Sequence, residues 1–449
     1  MKQNDYQYAL KPDWQSKAQL NRLNTPGSND IYTLTLADAS EFAILKHSEY
    51  TWLLSFSYHS TNKTKQGCVS VFIDEKEQGA IGNSQFFEAK QEGIRYLNLS
   101  SLLSNDLLDE QIKLHFKYCS TKPEVTLLGF KKPAISSGGA ILIIAPHADD
   151  AELAAYGLYS EYSDRTWITT INAGQTLQSL DRQYIAGLDN NLADAVHRKA
   201  QIRAWNSMTT PLLAGVKLER LTSLGYFNLT IDSLYKVPQE QQIDKVLPGL
   251  TPNISRGLNH ITLPNDERDT CTGESLVEDL ASLLEQIKPT SVFITDPEID
   301  PHSEHIMSAH ALALAIRKSA HKPDNVFMYV NHLRKIKKFP YGPEHTLTAL
   351  PPWFDASSIF KELSCYSHQL SLTTQKEKVV SFDTMHDLRS KPRLKKSLKK
   401  WWHQNILKSD YQFYGYHTYF QTHIRANEVF TFVDGQVFSD ALIQSQTQK

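Results

Sequence analysis

At 449 residues the chain exceeds what one compact core usually serves, so two domains are the default expectation. A composition of 41% apolar and 21% charged residues, with a formal charge of −2, gives no pull toward nucleic acid or any other strongly charged partner. Four scattered cysteines (Cys68, Cys119, Cys271 and Cys365) form no CxxC pair, which argues against a disulfide framework and against a cysteine-held zinc site.

The chain opens with MKQNDYQYALKPDWQSK, which lacks the apolar core of a signal peptide. No run of about 18 apolar residues exists to cross a bilayer, so the expected compartment is the cytoplasm. Between residues 30 and 130, β-branched and aromatic runs (IYTLTL, YTWLLSFSYHS, CVSVFID, IRYLNLS, IKLHFKY, VTLLGF) alternate with polar turns. That pattern predicts an all-β antiparallel sandwich over residues 1–136. KKPAISSGG (131–139) has linker composition and carries the boundary, with residues 137–449 as the second domain.

There the texture changes. AILIIAP (140–146) is a continuous apolar run, as in a strand buried on both faces of a parallel sheet. DDAELAAYGLYSEYS reads as helix, TWITTINAG (166–174) as strand, DNNLADAVHRKAQIRAWNSM as helix, and LERLTSLGYF (218–227) as a third strand and turn. SLVEDLASLLEQIKP then predicts helix, TSVFITDP (290–297) strand, HSEHIMSAHALALAIRKSA helix and NVFMYVNHL (325–333) strand. Such alternation implies an α/β fold with a Rossmann-like, mostly parallel sheet and helices on both faces.

In such sheets the ligand crevice lies beyond the carboxyl ends of the strands. His147, Asp149 and Asp150 follow the strand 140–146, and His302 and His305 follow the strand 290–297, so both groups fall on one rim. Imidazole and carboxylate together suit zinc, and three protein ligands plus water make a catalytic site. Adjacent aspartates on a tight turn point in different directions, so one can bind an ion while the other stays free as a general base. The bland readings are a helix N-cap for Asp-Asp and a solvated HxxH. Glu152 reads either as support behind the ion or as part of the helix start, and His332, just past a strand, is a further candidate for the rim.

At these residues the sequence resembles the LmbE/PIG-L family of zinc-dependent N-deacetylases. PHADDAE (146–152) and PHSEH (301–305) stand where that family carries its (A)H(P/A)DD(x)E and HxDH-type motifs. HRKAQIRAW (197–205), LGYFN (224–228), KELSCYSHQ (361–369) and RANEVF (425–430) are similar to later family segments, in the same order. The resemblance spans about residues 138–432. It implies His147, Asp150 and His305 as Zn2+ ligands, Asp149 as general base, and His302 as oxyanion stabiliser or proton donor to the leaving amine. It also implies Arg198 against the substrate and a supporting carboxylate at Glu304, which replaces the family's aspartate. Asn228 stands where the family often has aspartate.

The implied reaction is hydrolysis of the acetamide of an N-acetylated amino sugar, GlcNAc-like, in a glycan or glycolipid such as a lipopolysaccharide or surface-polysaccharide intermediate. The alternatives are an amidase acting on another N-acyl conjugate and a non-catalytic glycan-binding protein. A nucleotide-binding reading is disfavoured because no GxGxxG follows the first strand. Finally, RSKPRLKKSLKKWWHQNILK (389–408) packs seven Lys/Arg into residues 389–400 ahead of two tryptophans. It is a candidate for peripheral contact with the inner face of the membrane, a grip on a phosphorylated sugar, or a solvated face.

Overall fold

The computed structural model describes residues 2–23, 30–75, 79–103, 112–135, 138–333, 336, 339–388, 394, 398, 401–402, 405–406 and 423–447. Two compact units emerge. The first comprises Met1–Ala134 together with Ile336–Gln375 and Ile424–Phe432. The second comprises Ile135–Lys335, Lys376–His423 and Val433–Lys449. The first unit thus begins to give way near the expected linker, but it also takes in two later segments that no composition shift in the sequence marks.

The described strands of the first unit are β1 (Lys2–Gln3), β2 (Trp14–Arg22), β3 (Ile31–Leu36), β4 (Tyr50–Ser60), β5 (Gly67–Glu75), β6 (Gly79–Phe87), β7 (Gln91–Asn98), β8 (Lys113–Lys117), β9 (Cys119–Ser120) and β10 (Glu124–Lys131). They hydrogen-bond in the order β1-β7-β4-β10-β2-β3-β8-β5-β6, with β9 on the end of β4. Pairing is antiparallel except between β1 and β7. Strand β2 shows the period-2 rule that makes such a sheet one-sided: Trp14, Ser16, Ala18 and Leu20 are buried and their neighbours exposed.

Phe56 on β4 and Phe87 on β6 are six strands apart in this order, about 29 Å in a flat sheet at roughly 4.8 Å per strand. Their ring centroids are nevertheless 5.4 Å apart. The sheet therefore folds over its own apolar face, and one continuous sheet supplies both walls of a core that includes Trp14, Trp52, Val71, Leu97, Leu114 and Leu127.

In the second unit, β11 (Ala140–Ala145), β12 (Thr166–Asn172), β13 (Leu221–Tyr226), β14 (Pro289–Thr295) and β15 (Asn325–Tyr329) run parallel in the order β13-β12-β11-β14-β15. Residues 141–145 are all buried, as a doubly covered central strand requires. Chain order reverses between β11 and β14, which are hydrogen-bonded neighbours, and a crevice opens at such a point beyond the strand ends. Helix Asp150–Glu161 follows β11, and helix Ser303–Lys318 follows β14. The strands β16 (Ser364–Gln369) and β17 (Asn427–Asp434), which pair antiparallel, belong to the first unit except for the last two residues of β17.

Most of the basic segment 389–408 lies outside the described residues; Leu394, Leu398, Trp401, Trp402 and Ile406 are described and exposed. Among the described residues no helix is long and apolar enough to cross a membrane.

Candidate metal centre

The reversal point brings the two sequence groups together. Beyond β11, the Asn172 backbone N–H and its Nδ2 both donate to the Pro146 carbonyl at 2.9 Å, fixing the turn that presents His147. The His147 backbone N–H donates to Asp150 Oδ2 (2.9 Å), which closes the turn from the other side. Asp149 occupies the N-cap position of helix Asp150–Glu161, but its side chain makes no capping bond. The capping reading of Asp-Asp therefore does not consume the Asp149 carboxylate.

Three atoms form a nearly equilateral triangle. His147 Nδ1 lies 3.2 Å from His305 Nε2 and 3.3 Å from Asp150 Oδ2, and His305 Nε2 lies 3.2 Å from that same oxygen. Donors at 2.0–2.2 Å from a tetrahedral zinc ion stand about 3.4 Å apart, so the triangle has the size of one face of such a site. The residues fit the ion.

Each imidazole is oriented from behind by a carboxylate, as in metal sites generally. His147 Nε2 is 2.8 Å from Glu304 Oε2. His305 Nδ1 is 3.0 Å from Asp300 Oδ2. Asp300 in turn accepts the backbone N–H groups of His302, Asn331 and His332, and Asn331 Nδ2 donates to Asp150 Oδ1 at 2.8 Å.

The electrostatics describe a nest for positive charge. Burial alone would depress the His305 pKa, yet the Asp150 and Asp300 carboxylates outweigh it and hold the imidazole up to about 10. Burial would raise Asp150, but His305 and His147 keep it well below the usual carboxylate range. For His147, burial is likewise outweighed by Asp150 and Glu304, which raise it. His302, half-buried beside His305 and His147, is pushed below the ordinary histidine value by burial first and by those neighbours second. Its Nδ1 has no hydrogen-bond partner among the described residues. Glu152 is buried under the helix start, receives the Tyr159 hydroxyl at 3.2 Å, and is pushed up to about 8 by burial.

Arg198 lies elsewhere. It rises from helix Leu192–Thr209 beside a cleft, where Asp189 engages it through Nε (2.8 Å) and Nη2 (2.7 Å). The arginine nearest the general-base candidate is Arg203 on the same helix. Its Nη2 is 3.5 Å from Asp149 Oδ1, and it also pairs with Asp387, which receives the Tyr184 hydroxyl. Gly174 makes room for it: φ is +60°, and a Cβ there would stand 2.2 Å from Arg203 Nε. Sequence reasoning passed over Arg203, Asp300 and Asn331, although Asp300 in DPHSEH stood two residues from a candidate site histidine. Asn228 is exposed in the left-handed region at φ 57°.

The architecture defines a class: an α/β unit with a His-Asp-His donor triangle and an uncapped aspartate at the reversal point of a parallel sheet. Residues 142–316 match the PIG-L family model, described as GlcNAc-PI de-N-acetylase. No curated protein matches the chain. Among solved structures, the conserved protein TT1542 from Thermus thermophilus is 16% identical, with a TM-score of 0.30, covering 65% of this chain and 94% of its own. GalB, the 4-carboxy-2-hydroxymuconate hydratase from Pseudomonas putida, is 11% identical, with a TM-score of 0.32, covering 66% of this chain and 96% of its own. At that level of superposition neither likeness speaks to this chain's chemistry.

Proposed function

We propose that the chain is a zinc-dependent N-deacetylase built on a Rossmann-like sheet. In this reading it hydrolyses the acetamide of a GlcNAc-like N-acetylated amino sugar, carried by a glycan or glycolipid such as a lipopolysaccharide or surface-polysaccharide intermediate. The observation that carries this is the donor triangle of His147, Asp150 and His305 beside an uncapped Asp149. The match of residues 142–316 to a de-N-acetylase family supports the same reaction.

Zinc, when bound, would lower the pKa of a water from 15.7 to about 7 and polarise the acetamide carbonyl. Asp149 takes the proton of the attacking water, a contribution of roughly 100- to 10,000-fold. Arg203 holds the Asp149 carboxylate in place. His302, whose Nδ1 is unpartnered among the described residues, donates to the developing oxyanion or passes a proton to the leaving amine as the C–N bond breaks. Glu304 orients His147 through Nε2, and Arg198 lines the neighbouring cleft as a substrate contact. Glu152 supports the helix start from beneath.

The reading places the enzyme in the cytoplasm, in peripheral contact with the inner face of the membrane through 389–408. Exposed Trp401 and Trp402 after the basic run support that contact, and co-sedimentation with anionic vesicles tests it.

The decisive experiment measures acetate release from N-acetylhexosamine glycans and glycolipids by zinc-loaded wild type, Asp149→Asn and His305→Ala. Release by wild type alone supports the reading. Stoichiometric zinc without acetate release from any substrate turns it toward a binding protein. Absence of zinc binding refutes the ligand set.

A further inference from the structure

Beyond the three residues of the triangle, a fourth imidazole is built into the same centre. His332 follows β15, and its ring centroid lies 5.1 Å from that of His305 and 5.8 Å from that of His302. Donor atoms of Asp150, His305 and His332 all lie within 4.8 Å of one another. A modest rotation of one side chain closes such a spacing to the separation of about 3.4 Å expected between zinc ligands.

The backbone around His332 is fixed by the groups that fix the ligands. Its N–H donates to Asp300 Oδ2 at 3.0 Å, the oxygen that also stands 3.0 Å from His305 Nδ1. The preceding residue, Asn331, donates from Nδ2 to Asp150 Oδ1 (2.8 Å) and to the Asp150 carbonyl (3.2 Å). The loop is thus tied directly to one triangle residue, Asp150, and through Asp300 to a second, His305. The His332 ring itself makes no hydrogen bond among the described residues. An imidazole on a backbone so fixed, with a ring nitrogen within 4.8 Å of the Asp150 and His305 donors, has the properties of a ligand rather than of a packing residue. The donor of His302 lies equally close to those of His147 and His305, but His302 stands at the N-cap of helix Ser303–Lys318 and is 41% exposed.

We propose that His332 supplies a fourth protein ligand to the ion held by His147, Asp150 and His305 in the substrate-free protein. The inference rests on the deacetylase reading for the ion but not for its chemistry. It makes the resting centre a three-histidine, one-aspartate set, more closed than the three-ligand site that catalytic zinc usually occupies.

The test is metal binding, independent of turnover. Zinc affinity is measured by chelator competition for wild type, His332→Ala, His332→Gln and His302→Ala. The visible absorption of the cobalt(II)-substituted proteins reports the ligand set. Thermal unfolding of the metal-free variants confirms that each is folded, and the glutamine variant keeps the side-chain volume should alanine fail that check. The expected result is a loss of roughly 10- to 100-fold in zinc affinity for both His332 variants, with an altered cobalt band and His302→Ala within a few-fold of wild type. Affinity within about twofold of wild type and superimposable cobalt spectra overturn the proposal while leaving the deacetylase reading intact. If the wild type itself binds no zinc, both fall together.

Discussion

Asp300 Oδ2 stands 3.0 Å from His305 Nδ1, and both side chains are fully buried. With Nδ1 beside Asp300, His305 turns Nε2 to Asp150 and His147. The carboxylate also receives three backbone N–H groups from two loops, so it fixes position as well as protonation. Asp300→Ala is therefore expected to weaken zinc binding by about 10- to 100-fold. Chelator competition at constant pH measures it; unchanged affinity would show that His305 is oriented by packing alone.

Gly174 permits Arg203 to reach the site. A Cβ at φ +60° would stand 2.2 Å from the guanidinium Nε, so the Arg203 side chain would have to move away. Gly174→Ala is expected to cost about 1–3 kcal/mol of stability and to displace Arg203 from Asp149. Denaturant unfolding reads the first effect; a fall in kcat at full zinc occupancy reads the second.

The two arginines of helix Leu192–Thr209 should separate kinetically. Arg203→Gln removes the cation beside Asp149, and a drop of about tenfold or more in kcat with zinc content preserved is the expected outcome. Arg198→Gln, on the cleft wall, is expected to raise KM and leave kcat nearly unchanged. Reversal of the two patterns would reassign the general base's partner.

Asp296 gives the fold a pH signature away from the donor triangle. Burial pushes its carboxyl up to about 7, although the backbone N–H groups of Glu298 and Ile299 favour the charged form. The folded-state value lies above the unfolded one, so its contribution to stability is fully present below about pH 4 and is lost as pH rises through about 7. Asparagine can accept the same two N–H bonds without the charge. Asp296→Asn is expected to stabilise the protein at pH 8, by on the order of 2–4 kcal/mol, and to change little at pH 4. Thermal melts of the metal-free proteins at the two pH values decide it.

Much of the second unit was legible because its strands are continuous apolar runs: AILIIAP became β11 and TSVFITDP became β14 within two residues. The placement of two polar groups just past those strands followed from the same pattern, and their donor atoms do meet. What escaped was whatever the pattern does not encode. Strand β2 carries Ser16 and Ala18 on its buried face, so its alternation is weak in hydropathy though regular in burial. Strand β16 hides in KELSCYSHQ, where polar Ser367 and His368 are buried. Arg203 and Arg198 are five residues apart on one helix, and only their tertiary partners, Asp149 and Asp387 for one and Asp189 for the other, distinguish them. Asn331 reaches Asp150 across 181 residues of sequence, a contact with no local signature.

The make-up of the first unit has a bearing on how the protein is born. Residues 1–134 leave the ribosome early, but the unit also needs 336–375 and 424–432. Asn98, completely buried, donates its side-chain amide to the Thr348 carbonyl and Ser367 Oγ, groups that are synthesised 250 and 269 residues later. Until they arrive, that amide lacks the two partners it holds in the finished unit. The usual order of translation, in which the N-terminal module matures first, does not hold here: the first module must wait, incomplete, until almost the whole chain has been made.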